Sequence, residues 1–277
     1  MSYETILLER NDAICTITLN RPAKLNAMST ALWGELERAM DEVESDAAIR
    51  VLVLRGAGRA FSTGNDMSEP CSTMSEWYQR LQEISRRILK LWNLRPVTIA
   101  MVHGYCLASG CELAAMCDIT IAAEDAKFGE PEIHHGSMAQ VFLPWVLGMK
   151  RAKEFILTGD SIDARTAERI GLVNRVVPVD RLEQETSALA QRLARIPAVG
   201  LEFNKRTINK MYEIAGLLDG RDYMDQVSTI VHVMMSEVAG PEGKALQEIK
   251  YKEGMKAFLS ARSARIEGKP RDEGSGK

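Results

Sequence analysis

The stretch His103-Gly-Tyr-Cys-Leu-Ala-Ser-Gly-Cys-Glu-Leu-Ala-Ala-Met-Cys-Asp118 decides the fold of this chain. It follows an apolar run at 97–102 that is typical of a buried strand. A loop of small residues then leads into a predicted short helix with Glu112 in its first turn. A strand that passes through such a loop into a helix presents unpaired backbone N–H groups at one point. The stretch therefore predicts a site at the start of this helix.

The bulk composition excludes several classes of protein. The chain has 277 residues, of which 45% are hydrophobic and 26% charged, as is ordinary for a globular protein. Its net charge of −3 gives no indication of nucleic-acid or anionic-membrane partners. The five cysteines lack a zinc-binding spacing, so we expect no metal and reduced thiols in a cytoplasmic protein. No signal peptide and no apolar run of about 20 residues is evident, so we expect no membrane span.

Strands and helices alternate through the first half of the chain, which predicts an α/β core. The predicted strands are 5–9, 13–19, 51–54, 97–102 and 118–123, and the predicted helices begin near 29, 75 and 109. A strand–loop–helix unit occurs twice, at 51–92 and 97–117, as a weak internal repeat.

The second half is predicted to be mainly helical. The predicted helices are 150–157, 163–170, 180–195, 200–216, 220–237 and 242–261, with one strand at 173–177. We divide the chain into a core over 1–198, a helical oligomerisation region over 199–267 and a disordered polar tail over 268–277. Helices that contact another copy would favour a homo-oligomer.

A glycine-containing turn follows the predicted strand at 51–54. Gly56-Ala-Gly58 begins like a dinucleotide-binding fingerprint, but Phe61 occupies the position of the third glycine. No helix is predicted to start there, so a plain turn is the better interpretation.

Two carboxyl groups flank the predicted strand at 118–123. A helix over 109–116 extends about 12 Å, and the strand can return over a similar distance. Glu132, in Phe128-Gly-Glu-Pro-Glu132, can therefore lie near Glu112. Two carboxylates in one pocket suit a reaction that removes one proton and delivers another.

Simpler interpretations of these acids remain open from spacing alone. Ser109-x-x-Glu112 matches a helix capping box. Glu132 could be a surface acid after a proline, and Glu130 competes for its role. Covalent catalysis is a further alternative, although no nucleophile elbow is present. Its candidate residues are Ser109, Cys106 and Cys111 with His103, His134 and His135.

Taken together, these motifs resemble the crotonase (enoyl-CoA hydratase/isomerase) superfamily through most of the chain. The segments that carry the resemblance are 20–27, 60–66, 104–118, 126–132, 157–160, 164–177 and 253–258. The resemblance implies a spiral of ββα repeats with a helical C-terminal region that builds a homotrimer or a hexamer.

The resemblance also implies an oxyanion hole made of two backbone N–H groups, those of Asn65 and Ser109. The family usually has glycine at the second position, so Ser109 is a departure. Hydratases of the family use two glutamates, which fall on Glu112 and Glu132. The expected function is therefore addition of water to a 2-enoyl-CoA in fatty acid metabolism, with coenzyme A as part of the substrate and no separate cofactor. Isomerase, hydrolase, C–C lyase or non-catalytic acyl-CoA-binding homologues remain alternatives.

The resemblance further assigns residues around the substrate. The implied CoA-binding residues are Lys24, Leu25, Ala27, Ala60, Thr63, Gly64, Asp66, Met67, Phe258 and Arg262, the last as a cationic stand-in. The acyl pocket is expected to include His134, His135 and Phe142. The segment 133–142 replaces a run that is often glycine-rich, so neither acyl length nor branching follows from the resemblance.

Overall fold

The polypeptide forms two sheets surrounded by helices. The computed structural model describes residues 2–69, 71, 73–135, 142–237, 246–254, 256–258 and 260–261. Within these residues, no helix combines the length and apolarity that a membrane crossing requires. The predicted tail over 268–277 lies outside the described residues.

The larger sheet has six strands in the order β1-β2-β3-β5-β7-β10. These strands are β1 (Ile6–Asn11), β2 (Ile14–Leu19), β3 (Val51–Gly56), β5 (Val97–Val102), β7 (Ile119–Ala123) and β10 (Arg175–Val177). The β1–β2 hairpin is antiparallel, and all other pairs are parallel. Every residue of β5 is buried, which matches its position inside a parallel sheet covered on both faces.

A smaller sheet of four short strands lies beside the first, in the order β4-β6-β8-β9. These strands are β4 (Ala60–Ser62), β6 (Tyr105–Leu107), β8 (Lys127–Gly129) and β9 (Ile162–Asp163). Because β4, β6 and β8 each follow a long strand of the larger sheet, the chain repeats a ββ unit before each helical segment. The expected spiral of ββα repeats is confirmed, although the sequence patterns predicted none of these four strands.

Ten α-helices can be given bounds in the described residues, and residues 256–258 and 260–261 are also helical. The ten helices are α1 (Thr30–Ser45), α2 (Met74–Asn93), α3 (Ser109–Ala115), α4 (Leu143–Leu147), α5 (Met149–Thr158), α6 (Ala164–Ile170), α7 (Leu182–Ala194), α8 (Ala198–Ile214), α9 (Leu217–Glu237) and α10 (Leu246–Glu253). The main hydrophobic core lies between the larger sheet and α1 to α6, and a second core lies beneath α7 on the opposite face. The helical C-terminal part is confirmed, and the domain boundaries stay predictions.

A buried ion pair attaches α8 to the larger sheet. Lys205, which is 7% exposed, places Nζ 2.7 Å from an Asp118 carboxylate oxygen and 2.9 Å from the Pro96 carbonyl. The same Asp118 oxygen accepts hydrogen bonds from the amide and hydroxyl of Thr98. Asp118 therefore connects β5, β7 and α8 through one carboxylate.

Lys205→Met is expected to lower the free energy of unfolding by about 2–3 kcal/mol, because it removes the countercharge of Asp118. The expected loss is below the ~3–5 kcal/mol of a fully buried pair, since Asp118 keeps its Thr98 hydrogen bonds and some solvent exposure. Denaturant unfolding measures the change. The control is Lys210→Met on the same helix, where a 63% exposed lysine pairs with Glu213 and should contribute little.

Candidate active site

The loop after β4 and the start of α3 meet at one point. Gly64 has φ of +87°, and a Cβ atom added to it would lie 2.5 Å from the Ala108 Cβ and 3.3 Å from the Ser109 amide nitrogen. Only glycine therefore allows the two loops to approach this closely. Neither the Asn65 nor the Ser109 backbone amide donates a hydrogen bond to a described residue. The two backbone amides that the resemblance assigns to the oxyanion hole thus lie in adjoining loops, and neither donates to a described residue.

The backbone strain of this turn falls on Ala108, not on Ser109. Ala108 has φ of 55° and ψ of −138°, and its amide donates to the Gly129 carbonyl at 2.8 Å. Ser109 is the first residue of α3 and does not have positive φ. Serine in place of the family glycine therefore costs no unusual backbone conformation here. As the first residue of a helix, Ser109 also directs its amide away from intrahelical acceptors.

The capping-box interpretation of Ser109 and Glu112 is wrong. Ala108 is the N-cap of α3, and no side chain caps this helix. The Ser109 hydroxyl instead accepts a hydrogen bond from the Asn65 side chain, 2.7 Å away. Glu112 is consequently not held by a capping interaction.

Glu112 is a fully buried acid without hydrogen-bond donors. Its exposure is 0%, and neither carboxylate oxygen accepts a hydrogen bond from a residue that the structure describes. Burial raises the pKa of Glu112 well above its usual range, and the charge of Glu132 raises it further. Glu112 therefore retains its proton at a pH where an exposed glutamate is ionised.

Glu130 and Glu132 form a second part of this acidic cluster. Glu130, at the end of β8, is also 0% exposed, and burial followed by the charge of Glu132 raises its pKa well above the usual range. Neither carboxyl oxygen of Glu130 accepts a hydrogen bond from a described residue. Burial and the neighbouring charge therefore favour the protonated form of Glu130 beside Glu132.

These environments separate three acids that are close in sequence. Glu112 and Glu130 are completely buried, whereas Glu132 is partly exposed at the start of a 3₁₀ helix, Pro131–His135. Neighbouring carboxyl groups whose environments differ take different protonation states. Burial thus gives Glu112 and Glu130 a higher proton affinity than an exposed glutamate has.

Glu130→Gln is expected to change kcat by less than about threefold, because the amide is neutral and polar, as the protonated acid is, and leaves the charge near Glu132 unchanged. Glu130→Leu removes the polar group beside Glu132 and should lower kcat by about tenfold. Steady-state kinetics of both variants measure these changes. A loss on glutamine substitution as large as that of Glu132→Gln would assign the proton transfer to Glu130 instead.

The side chains proposed for covalent catalysis have other contacts. A ring nitrogen of His103 lies 2.7 Å from the Gly58 carbonyl, and one of His134 lies 2.7 Å from the Thr158 carbonyl. The hydrogen bond with Cys106 and burial together raise the pKa of the Cys111 thiol well above its usual range. Both cysteines are buried and reduced, so neither resembles an activated thiolate.

The two loops on the CoA side of the expected site are joined by hydrogen bonds. Asn26, buried with φ of 54°, donates to the Ala57 and Ala60 carbonyls at 2.8 Å. The Thr63 amide donates to the Leu25 carbonyl at 3.2 Å. Sequence reasoning missed Asn26, although asparagine is one of the few non-glycine residues that often adopt left-handed backbone in loops.

The remaining residues assigned to CoA lie on the same side of the molecule. Lys24 is exposed, Ala27 is partly buried beside the loop, and Asp66 pairs with Arg21 at 2.9 Å. Met67 packs against a small cluster that contains the fully buried Phe258. Arg262 lies outside the described residues.

Lys250 of α10 is a cation near this region that the sequence patterns did not single out. Partial burial and the positive charge of Arg80 lower its pKa, while Asp66 and Cys71 oppose the shift. Arg80 itself forms an ion pair with Glu69. Lys250 places a cation at the end of α10, shortly before Phe258 in the chain.

The residues expected in the acyl pocket are only partly placed. Phe142 is 2% exposed and belongs to the main hydrophobic core. His134 packs over Gly159, where an added Cβ would lie 2.5 Å from a ring nitrogen. The side chain of His135 and residues 136–141 are outside the described part of the chain. A role for these residues in the acyl pocket stays a prediction.

Two further observations concern other kinds of site. Within the described residues, no group of three or more His, Cys, Asp or Glu side chains has a metal-binding arrangement. A cavity of about 410 Å³ lies between α7 and the larger sheet, and it includes none of the residues discussed above. The buried acids beside the meeting loops are therefore the better candidate for a catalytic site.

Comparisons with known proteins agree with this fold. A family model described as "Enoyl-CoA hydratase/isomerase" matches residues 9–269. A "Probable enoyl-CoA hydratase" of Rhizobium meliloti is 35% identical over 272 residues, covering 95% of this chain and 98% of that protein. A similarly named protein of Mycobacterium bovis is 39% identical over 218 residues, covering 77% and 84%. The crystal structure of an enoyl-CoA hydratase/isomerase from Xanthobacter autotrophicus has a TM-score of 0.89 at 36% identity, covering 95% and 99%.

The fold and the paired loops thus define an enzyme of the crotonase superfamily. The chain belongs to the enoyl-CoA hydratase/isomerase family. The resemblance and the fold class expected from the sequence are both confirmed.

Proposed function

We propose that this enzyme adds water across the 2,3 double bond of a 2-enoyl-CoA thioester. The observation that carries the proposal is that Glu112 lies close enough to Glu132 for its charge to act on it. Glu112 also belongs to the helix that begins at one of two backbone amides that donate to no described residue. Water addition needs both a proton acceptor and a proton donor, which two carboxyl groups in different environments supply. The relatives named as enoyl-CoA hydratases support the same reaction.

Glu132 acts first in this mechanism. As a carboxylate, it removes a proton from a bound water while the water oxygen bonds to Cβ. The electron pair of the double bond moves toward the thioester, whose oxygen becomes an enolate-like oxyanion. The amides of Asn65 and Ser109 donate to that oxygen, and such a donor typically contributes about 3–4 kcal/mol to transition-state stabilisation.

Glu112 completes the addition by returning a proton to Cα. Its raised pKa keeps it protonated for this step. The product is a 3-hydroxyacyl-CoA, and Glu132 is left protonated while Glu112 is ionised. Glu132 then releases its proton to solvent and Glu112 takes up a proton from solvent, which restores the starting state.

The CoA part of the substrate is proposed to lie along the joined loops and α10. Leu25, Ala60, Thr63 and Gly64 supply backbone to this surface, while Lys24 and Lys250 bring positive charge that suits phosphates. Met67 and Phe258 form the apolar cluster at its edge.

We also propose that the enzyme is a cytoplasmic homotrimer or hexamer. Apolar side chains on α8 and α9 are exposed in the single chain, and such a patch usually marks an interface. They include Val199 (68%), Phe203 (58%), Met211 (55%), Ile214 (71%), Tyr223 (70%) and Met234 (61%). A molar mass in solution of three or six times that of the chain would support this assembly, and a monomer would contradict it.

The test of the function is a panel of purified 2-enoyl-CoA thioesters of different length and branching. Hydration predicts loss of the conjugated enoyl absorbance and a 3-hydroxyacyl-CoA product identified by mass. Release of free CoA without this product would indicate a hydrolase, and a shifted double bond would indicate an isomerase. Either of these results would overturn the hydratase proposal.

A further inference from the structure

The two loops of the expected oxyanion hole are also connected by side chains. The Asn65 amide nitrogen Nδ2 donates to the Ser109 hydroxyl oxygen at 2.7 Å. The Trp33 indole Nε1 donates to the Asn65 oxygen Oδ1 at 2.9 Å. These three side chains form a continuous hydrogen-bonded bridge from α1, through the loop after β4, to the first residue of α3.

The chemistry of the indole fixes the direction of this bridge. An indole N–H can only donate, so the Asn65 atom facing Trp33 must be its carbonyl oxygen. The Asn65 NH₂ group then necessarily faces Ser109, whose oxygen accepts. Trp33 and Ser109 are each 3% exposed, so water competes little for these bonds.

The same two residues contribute the backbone amides assigned to the oxyanion. The bridge joins the side chains of Asn65 and Ser109, and so it constrains the separation of their backbone N–H groups. Geometry at this point matters, because a misplacement of about 1 Å in a reacting group can reduce a rate by ~10²-fold. Gly64, between the loops, makes steric contact but cannot supply a polar link.

We propose that Trp33 and the side chains of Asn65 and Ser109 are positioning groups that hold the two oxyanion-binding amides in register. The inference rests on the proposed function only in requiring an acyl-thioester substrate. It accounts for a hydroxyl at Ser109, where the family usually has glycine. It also gives the Asn65 side chain a positioning role, in addition to the oxyanion-binding role of the Asn65 backbone amide.

The test uses Asn65→Ala, Ser109→Ala and the double variant, with kinetics on the best thioester of the panel. Each single variant should lower kcat by about 10- to 100-fold while KM changes less than about twofold, because the oxyanion develops in the transition state. Both substitutions break the same bond, so the double variant should be no more than about twofold worse than the poorer single variant.

Conservative variants and a control separate positioning from general destabilisation. Ser109→Thr keeps the accepting hydroxyl and should recover most of kcat, and Trp33→Phe should reproduce part of the Ser109→Ala loss. The control is Asn209→Ala in α8, which loses a buried amide bond of 2.9 Å to the Trp92 carbonyl. It should lower the melting temperature and leave kcat unchanged.

Any one of three results would contradict the positioning role. The first is that the two losses of kcat multiply in the double variant. The second is an effect on KM alone, and the third is a fall in melting temperature without a change in kcat. Failure of the proposed function is recognised separately, because wild-type enzyme would then produce no 3-hydroxyacyl-CoA. If wild type catalyses another thioester reaction, the same variants are measured on that reaction.

Discussion

Glu132→Gln is expected to reduce kcat for hydration by about 10²- to 10⁴-fold, the contribution typical of a general acid–base group. Glutamine has nearly the same shape but cannot accept a proton from water. The substitution keeps the volume of the side chain and adds no charge beside the buried Glu130, so the local packing should survive. KM should change little, because the carboxylate acts on water rather than on the CoA moiety.

Rates at saturating substrate, combined with a binding titration of a non-reactive acyl-CoA, separate these two effects. The matched control is Glu124→Gln, an exposed acid just after β7, which should keep wild-type kcat. A Glu132→Gln enzyme with near-wild-type turnover would contradict the general-base role.

Glu112→Gln is expected to lose activity by a similar factor and yet to become more stable near neutral pH. Activity falls because glutamine cannot deliver a proton to Cα. Stability rises because the wild-type acid is fully buried without a described hydrogen-bond donor. The folded-state pKa of Glu112 is raised above its unfolded value of about 4.3. Above that pH the unfolded chain releases the proton that the folded chain retains, so wild-type stability falls as pH increases.

The expected signature is a difference in melting temperature that is small near pH 4 and grows toward pH 8. The control is Glu35→Gln, which should show the opposite sign. Although burial opposes it, hydrogen bonds from Thr5 and Glu4 lower the pKa of Glu35, so the ionised form is the stable one there. A Glu112→Gln enzyme that isomerises but does not hydrate would assign the enzyme to single-carboxylate chemistry.

The sequence predicted the elements that have long, regular patterns. The strand at 97–102 was predicted with its observed bounds, and α2 within one residue at each end. By contrast, β4, β6, β8 and β9 have only two or three residues each. A pattern of alternating burial needs four or more residues to be recognised, so such strands have no detectable period.

The capping-box alternative shows the same limit at the site. The spacing of Ser109 and Glu112 fits a cap, and nothing local excludes it. Asn65, which is 44 residues away, excludes it, because its side-chain amide donates a hydrogen bond to the Ser109 hydroxyl oxygen. Partners that are distant in the chain are not visible in local spacing, and the same is true of Trp33.

By itself the sequence determined the family, the order of the long elements and which glutamates were candidates, because periodicity and motif spacing are local properties. Only the tertiary structure decided how those acids differ. Burial, and the distance between charges that are far apart along the chain, set each proton affinity. Glu112, Glu130 and Glu132 are one residue type in the sequence, and only packing raises the pKa of the first two well above the usual range. The stretch 103–118 contains α3. The loop after β4 contributes Asn65, whose side chain is hydrogen-bonded to Ser109, the first residue of that helix.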